Sequence, residues 1–131
     1  MMYLWVTLGS ALGGLARYWV SGLVASHYGE TFPWGTIVVN VTGCFVIGFF
    51  ATLSGPDGRL LAPSTVRQLV MTGICGGYTT FSSFSLQTLN LARDGQWREV
   101  WQNILGSTVS CLAATWLGFA AVLALSSMEG Q

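Results

Sequence analysis

The chain has 131 residues, which accommodates a single domain. Charged residues make up 8% of it, against about 25% in ordinary globular proteins, and apolar residues 52%. That is too little charge for a water-facing surface, so an integral membrane protein is expected, and five arginines without a lysine leave no basic patch for nucleic acid.

Four apolar runs, at about 3–25, 34–53, 66–92 and 100–125, each supply the ~20 residues that cross a ~30 Å hydrocarbon core. The links SHYGETFP, SGPDGRLLAPST and RDGQWRE carry turn chemistry, and nothing is left over for a soluble domain. The amino terminus, MMYLWV, lacks the charged region of a secretory signal, so none is expected.

The first run contains GSALGGLARYW, in which Gly9 and Gly13 have the GxxxG spacing that lets helix backbones approach closely. Gly14, Gly43, Gly48, Gly106 and Gly118 extend the small-residue theme, with packing as their expected role. In the second run Asn40 stands mid-span in GTIVVNVTG, followed by Thr42, and an amide in hydrocarbon is costly unless paired. The fourth run holds Asn103, Ser107, Thr108 and Ser110 close together. Cys44, Cys75 and Cys111 show no CxxC spacing, and helix packing is the expected role of each.

The third run is anomalous. Its middle reads GICGGYTTFSSFS, residues 73–85, where small and polar residues replace the helix formers that a span requires. Gly76 and Gly77 each weaken a helix by roughly 1 kcal/mol against alanine. The hydroxyls of Thr79, Thr80, Ser82 and Ser83 compete for its backbone hydrogen bonds. A break within the membrane is expected there, and such breaks survive only where protein or a wet cavity satisfies the freed groups. Phe81 and Phe84, three apart, share a helix face once the break has ended.

All five acids (Glu30, Asp57, Asp94, Glu99, Glu129) fall in loops or at the carboxyl end, and only Arg17 lies well inside a span. Arg59 and Arg67 on one side balance Arg93 and Arg98 on the other, so the positive-inside rule has almost nothing to act on. Copies inserted both ways round, pairing as an antiparallel dimer, are the expected result.

An enzyme is excluded on inventory: His27 is the one histidine, it lies in a loop, and no acid stands near a membrane serine. A proton-coupled exporter would need a titratable group inside the bilayer, and these spans hold no acid. What remains is neutral donors, ring edges of partial positive charge and one cation, a set that suits passive passage of an anion. A non-conducting scaffold, its hydroxyls merely gluing helices, is the competing reading.

GGYTTFSSFS closely resembles the third-span signature GGxTTFSTF of the Fluc/CrcB fluoride channels. GGLARYW, GTIVVNVTGCFVIG and a fourth-span serine agree with it, so the resemblance covers all four spans. Ser83 stands where threonine is commoner, and Asn103 at a position often held by tyrosine. The resemblance implies an all-α protein of four transmembrane helices, the third broken mid-membrane. It further implies an antiparallel dual-topology homodimer with two pores in a prokaryotic plasma membrane, exporting cytoplasmic fluoride passively. Phe81 and Phe84 would turn ring edges to fluoride, Asn40 would donate its amide, and Ser107 with Ser83 would form a polar track. Arg17 would stand at a wide aqueous entry. The backbone carbonyls of Gly76 and Thr79 from both chains would hold one structural sodium ion at the dimer centre.

Overall fold

The computed structural model describes residues 1–56, 58 and 60–130. Asp57 and Arg59, two of the middle-loop charges in the orientation argument, lie outside the described residues, as does Gln131. The described elements are all helical.

Helix α1 (Met2–Tyr28) ends at Gly29, whose φ of 81° lies in the left-handed region that glycine adopts at little cost. Helix α2 (Trp34–Leu53) starts directly after Pro33. The third column is a composite. It opens with α3 (Ser64–Gln68) and widens into a π-helical stretch over Leu69–Cys75. It then closes through a single turn, α4 (Gly76–Tyr78), and breaks. Helix α5 (Phe81–Arg93) resumes it, and α6 (Trp97–Glu129) returns as one uninterrupted rod. At 1.5 Å per residue α2 is about 30 Å long and α6 about 50 Å. Both are long and apolar enough to cross a bilayer.

The columns alternate in direction, so α1 runs parallel to the first half of the third column, and α2 parallel to α6. Glycines set both parallel contacts. A Cβ on Gly9 would lie 2.7 Å from the Leu69 carbonyl oxygen, and one on Gly13 would strike the carbonyl of Ile74. Between α2 and α6, a Cβ on Gly48 would strike the backbone of Thr115, and one on Gly118 would come within 2.6 Å of the Phe49 nitrogen. Backbone contact this close requires residues without side chains. Gly14 and Gly106 face open space instead, so within one chain the packing role expected of them is not theirs.

The small interior mixes polar side chains with apolar ones such as Leu91, Val100 and Val122. Asn103 and Val39 are the largest fully buried side chains, and Thr36, Ser54, Thr80 and Ser107 are buried with them. Leu8, Leu12, Leu15 and Trp19 on α1, and Trp101, Leu105, Val109 and Trp116 on α6, are exposed. Apolar faces of this extent need lipid or another protein chain against them.

Candidate functional site

The break lies at Thr79 and Thr80, not at the glycines before them. Both threonines are extended, with φ/ψ of −79°/157° and −151°/114°, while Gly76 keeps helical angles. Gly77 is helical too and packs closely on α1: a Cβ there would lie 2.9 Å from Ser10 Cα. Two side chains, those of Asn40 and Thr80, take up backbone groups that the break releases. Asn40, one helix away, receives Thr80 N–H on Oδ1 (2.7 Å) and donates through Nδ2 to Thr80 C=O (2.9 Å). Thr80 caps α5 by accepting Ser83 N–H on its hydroxyl (3.1 Å). Thr79 donates its hydroxyl back to the Cys75 carbonyl (2.9 Å).

This wiring has a consequence for Gly76 and Thr79. In a continuous helix their carbonyls would accept from the amides four residues on, those of Thr80 and Ser83. Those amides are bound to Asn40 and to the Thr80 hydroxyl. The two carbonyls expected to hold sodium therefore lack their ordinary helical donors. Neutral oxygen donors with free lone pairs are the chemistry that a small hard cation takes.

Two grooves flank the break. The first, about 420 Å³, is lined by Asn40, Thr79, Thr80, Phe81, Phe84 and Ser107, together with all three cysteines, and no acid among the described residues borders it. The Phe81 and Phe84 rings touch, centroids 5.4 Å apart and planes inclined at 46°. Phe84 is half-buried, whereas Phe81 is 78% exposed in the single chain. Asn40 has one amide hydrogen beyond the one given to Thr80. Ser107 is buried and donates its hydroxyl to Asn103 Oδ1 (3.1 Å). Asn103 in turn donates to Thr88 (2.9 Å), which donates to the Phe84 carbonyl (2.7 Å).

The second groove, about 850 Å³, lies between α1, α2 and the start of α5. It collects Arg17 and Tyr18 with the hydroxyls of Ser10, Ser21, Thr36, Ser82 and Ser83. Within one chain, Ser83 thus borders a different groove from Ser107. The reason is helical periodicity: from Phe81 onward residues three apart share a side, so Phe81 and Phe84 face one groove and Ser82 and Ser83 the other.

The sequence reading missed the Ser107–Asn103–Thr88 chain, although Asn103 and Ser107 at i, i+4 spacing were a signal for it. It also missed that Asn40 braces the break, which only the fold could bring beside it. Thr42 binds back to Val38 (2.7 Å) and meets the Tyr78 hydroxyl at 2.9 Å, a helix-gluing role.

Comparison with known proteins supplies a further finding. Residues 4–119 match the family model described as CrcB-like protein, Camphor Resistance (CrcB). A protein of Opitutus terrae called fluoride-specific ion channel FluC is 61% identical over 99% of this chain and 98% of its own length. One of the same name from Methylocella silvestris is 54% identical over 99% of both chains. Another from Rhodospirillum rubrum is 58% identical over 90% of this chain and 92% of its own. The match to the family model and these near full-length identities lead to one conclusion: the chain belongs to the CrcB family.

Proposed function

We propose that the protein is a fluoride-selective passive channel that lets cytoplasmic fluoride out across a prokaryotic plasma membrane. The observation that carries this reading is the groove at the break, lined by Phe81, Phe84, Asn40 and Ser107 and, among the described residues, by no carboxylate. The names of the full-length relatives support the choice of ion.

In this reading each chain crosses the bilayer four times, by α1, α2, the composite third column and α6, and two chains pair antiparallel to enclose two pores. The exposed Phe81 and the apolar outer faces suit such a partner. Fluoride is small and strongly hydrated, so leaving water is its main cost. Donors placed in series replace that shell without any single site holding the ion too firmly. Asn40 offers its remaining amide hydrogen, while the Phe81 and Phe84 edges offer partial positive charge. Ser107 joins when its hydroxyl turns from Asn103 towards the groove, and Arg17 raises anion concentration in the hydroxyl-lined groove that also holds Ser83. The carbonyls of Gly76 and Thr79 from both chains would hold one sodium ion, which would satisfy them and add positive charge near the anion path. Neutral HF crosses bilayers and dissociates inside, so a passive anion path suffices for export.

The test is efflux of fluoride against chloride from liposomes holding the purified protein. Fluoride flux without chloride flux is expected. Absence of both would favour the scaffold reading.

A further inference from the structure

The three thiols are free and line the same groove as the phenyl rings, a placement that helix packing alone does not require. Their placement follows from the register of two parallel helices. Asn40, Cys44 and Gly48 recur every fourth residue on α2, as Ser107, Cys111 and Thr115 do on α6. The contact of Gly48 with the Thr115 backbone pins that register and brings the helix axes close. One turn earlier, that register sets Cys44 beside Cys111, and both line the groove. One turn earlier still stand Asn40 and Ser107. Both cysteines are half-exposed, so the groove gives access to them, while Cys75 is buried.

We propose that Cys44 and Cys111 form a two-thiolate clamp for a soft, linearly coordinating divalent metal ion, mercury(II), and that the bound ion closes the groove to anions. No group of three histidine, cysteine or acidic side chains gathers among the described residues, so a tetrahedral ion such as zinc lacks its ligand set. Thiolates select soft ions, and a two-coordinate ion needs no third ligand. Charge decides within that class. Mercuric chloride and the two thiols yield one S–Hg–S unit, two protons and two chloride ions, and the product is neutral. A monovalent soft ion on two thiolates would leave a net negative charge against apolar side chains, which is costly. The neutral clamp sits one helical turn from Asn40 and Ser107 and fills the cross-section beside the rings.

The clamp rests on helix register alone, whereas closure of the groove also rests on the channel reading. Purified full-length protein is loaded with mercuric chloride, passed over a desalting column in excess monothiol, and assayed for retained mercury and for the ultraviolet sulfur-to-mercury charge-transfer band. One retained ion per chain is expected in the wild type and in Cys75→Ser, and loss of both signals in Cys44→Ser and in Cys111→Ser. Retention in either of those variants, or loss in Cys75→Ser, overturns the clamp. Cys44→Ala and Cys111→Ala, with a size-exclusion profile for each, separate misfolding from ligand loss. In liposomes, mercuric chloride should abolish fluoride efflux, a dithiol chelator should restore it, and the efflux of Cys44→Ser, whatever its level, should not change when mercuric chloride is added. Mercury retained with efflux unchanged overturns the closure, whereas absence of efflux before mercury is added would refute the channel reading and leave the retention result standing.

Discussion

The two grooves beside the break share a wall, since Thr80 borders both, yet their chemistry differs. One is walled by phenyl rings, thiols and an amide; the other by an arginine and hydroxyls. The difference arises from one structural event. Helix α5 begins abruptly at Phe81 because Thr80 caps it, and the sequence FSSF then delivers phenylalanines to one side and serines to the other. A smooth helix through Thr79 and Thr80 would rotate every later side chain away from its present groove. The lesson is that an extended pair in a membrane helix sets the phase of everything after it.

That contrast can be broken at its foundation. Gly13→Leu should do most damage, because even a Cβ there strikes the carbonyl of Ile74 and would force α1 off the third column. Loss of a monodisperse species in detergent is the expected outcome, with Gly106→Leu, at a site facing open space, as the tolerated control within a single chain. Asn40→Ala is next. It strands the N–H and C=O of Thr80, at roughly 1–3 kcal/mol for each unsatisfied buried group. Unfolding in detergent should show that loss, and fluoride efflux should cease with it. If stability is unchanged, Asn40 does not brace the break.

Other changes sharpen the contrast. Phe84→Ile keeps an apolar side chain but removes the ring edge, so a folded protein with abolished fluoride efflux is expected; Phe81→Ile should act alike. Normal flux in both would remove the rings from the path. Thr80→Val keeps the shape and deletes the cap, costing about 1 kcal/mol in thermal unfolding. The smallest effect should come from Arg17→Gln, which tests the hydroxyl-lined groove alone. Its flux should fall at low salt and approach wild type as salt is raised, because screening removes long-range steering.

Much of this architecture was legible along the chain. Composition announced an apolar exterior, and GxxxG at Gly9 announced a close helix contact, which the structure places against Leu69 and Gly73. The weak point in the third column was also visible, because glycine and hydroxyl side chains have local effects on a helix. Its position was not. Within 73–85 the glycines and the threonines were both candidates, and the structure keeps Gly76 and Gly77 helical and breaks at Thr79 and Thr80. The side taken by Ser83 was not legible either, since it depends on where α5 starts.

The sequence by itself determined an all-helical chain with apolar outer faces, the third column's weakness, and the stock of donors and rings without membrane acids. These follow from composition and from periodicity along a single helix. Only the tertiary structure decided that Asn40 clasps Thr80, that α5 starts at Phe81, and that Cys44 and Cys111 line one groove with Ser107. Each of these depends on the sliding register between separate helices. That register is fixed by where glycine lets two backbones touch, and no property of one segment read alone contains it.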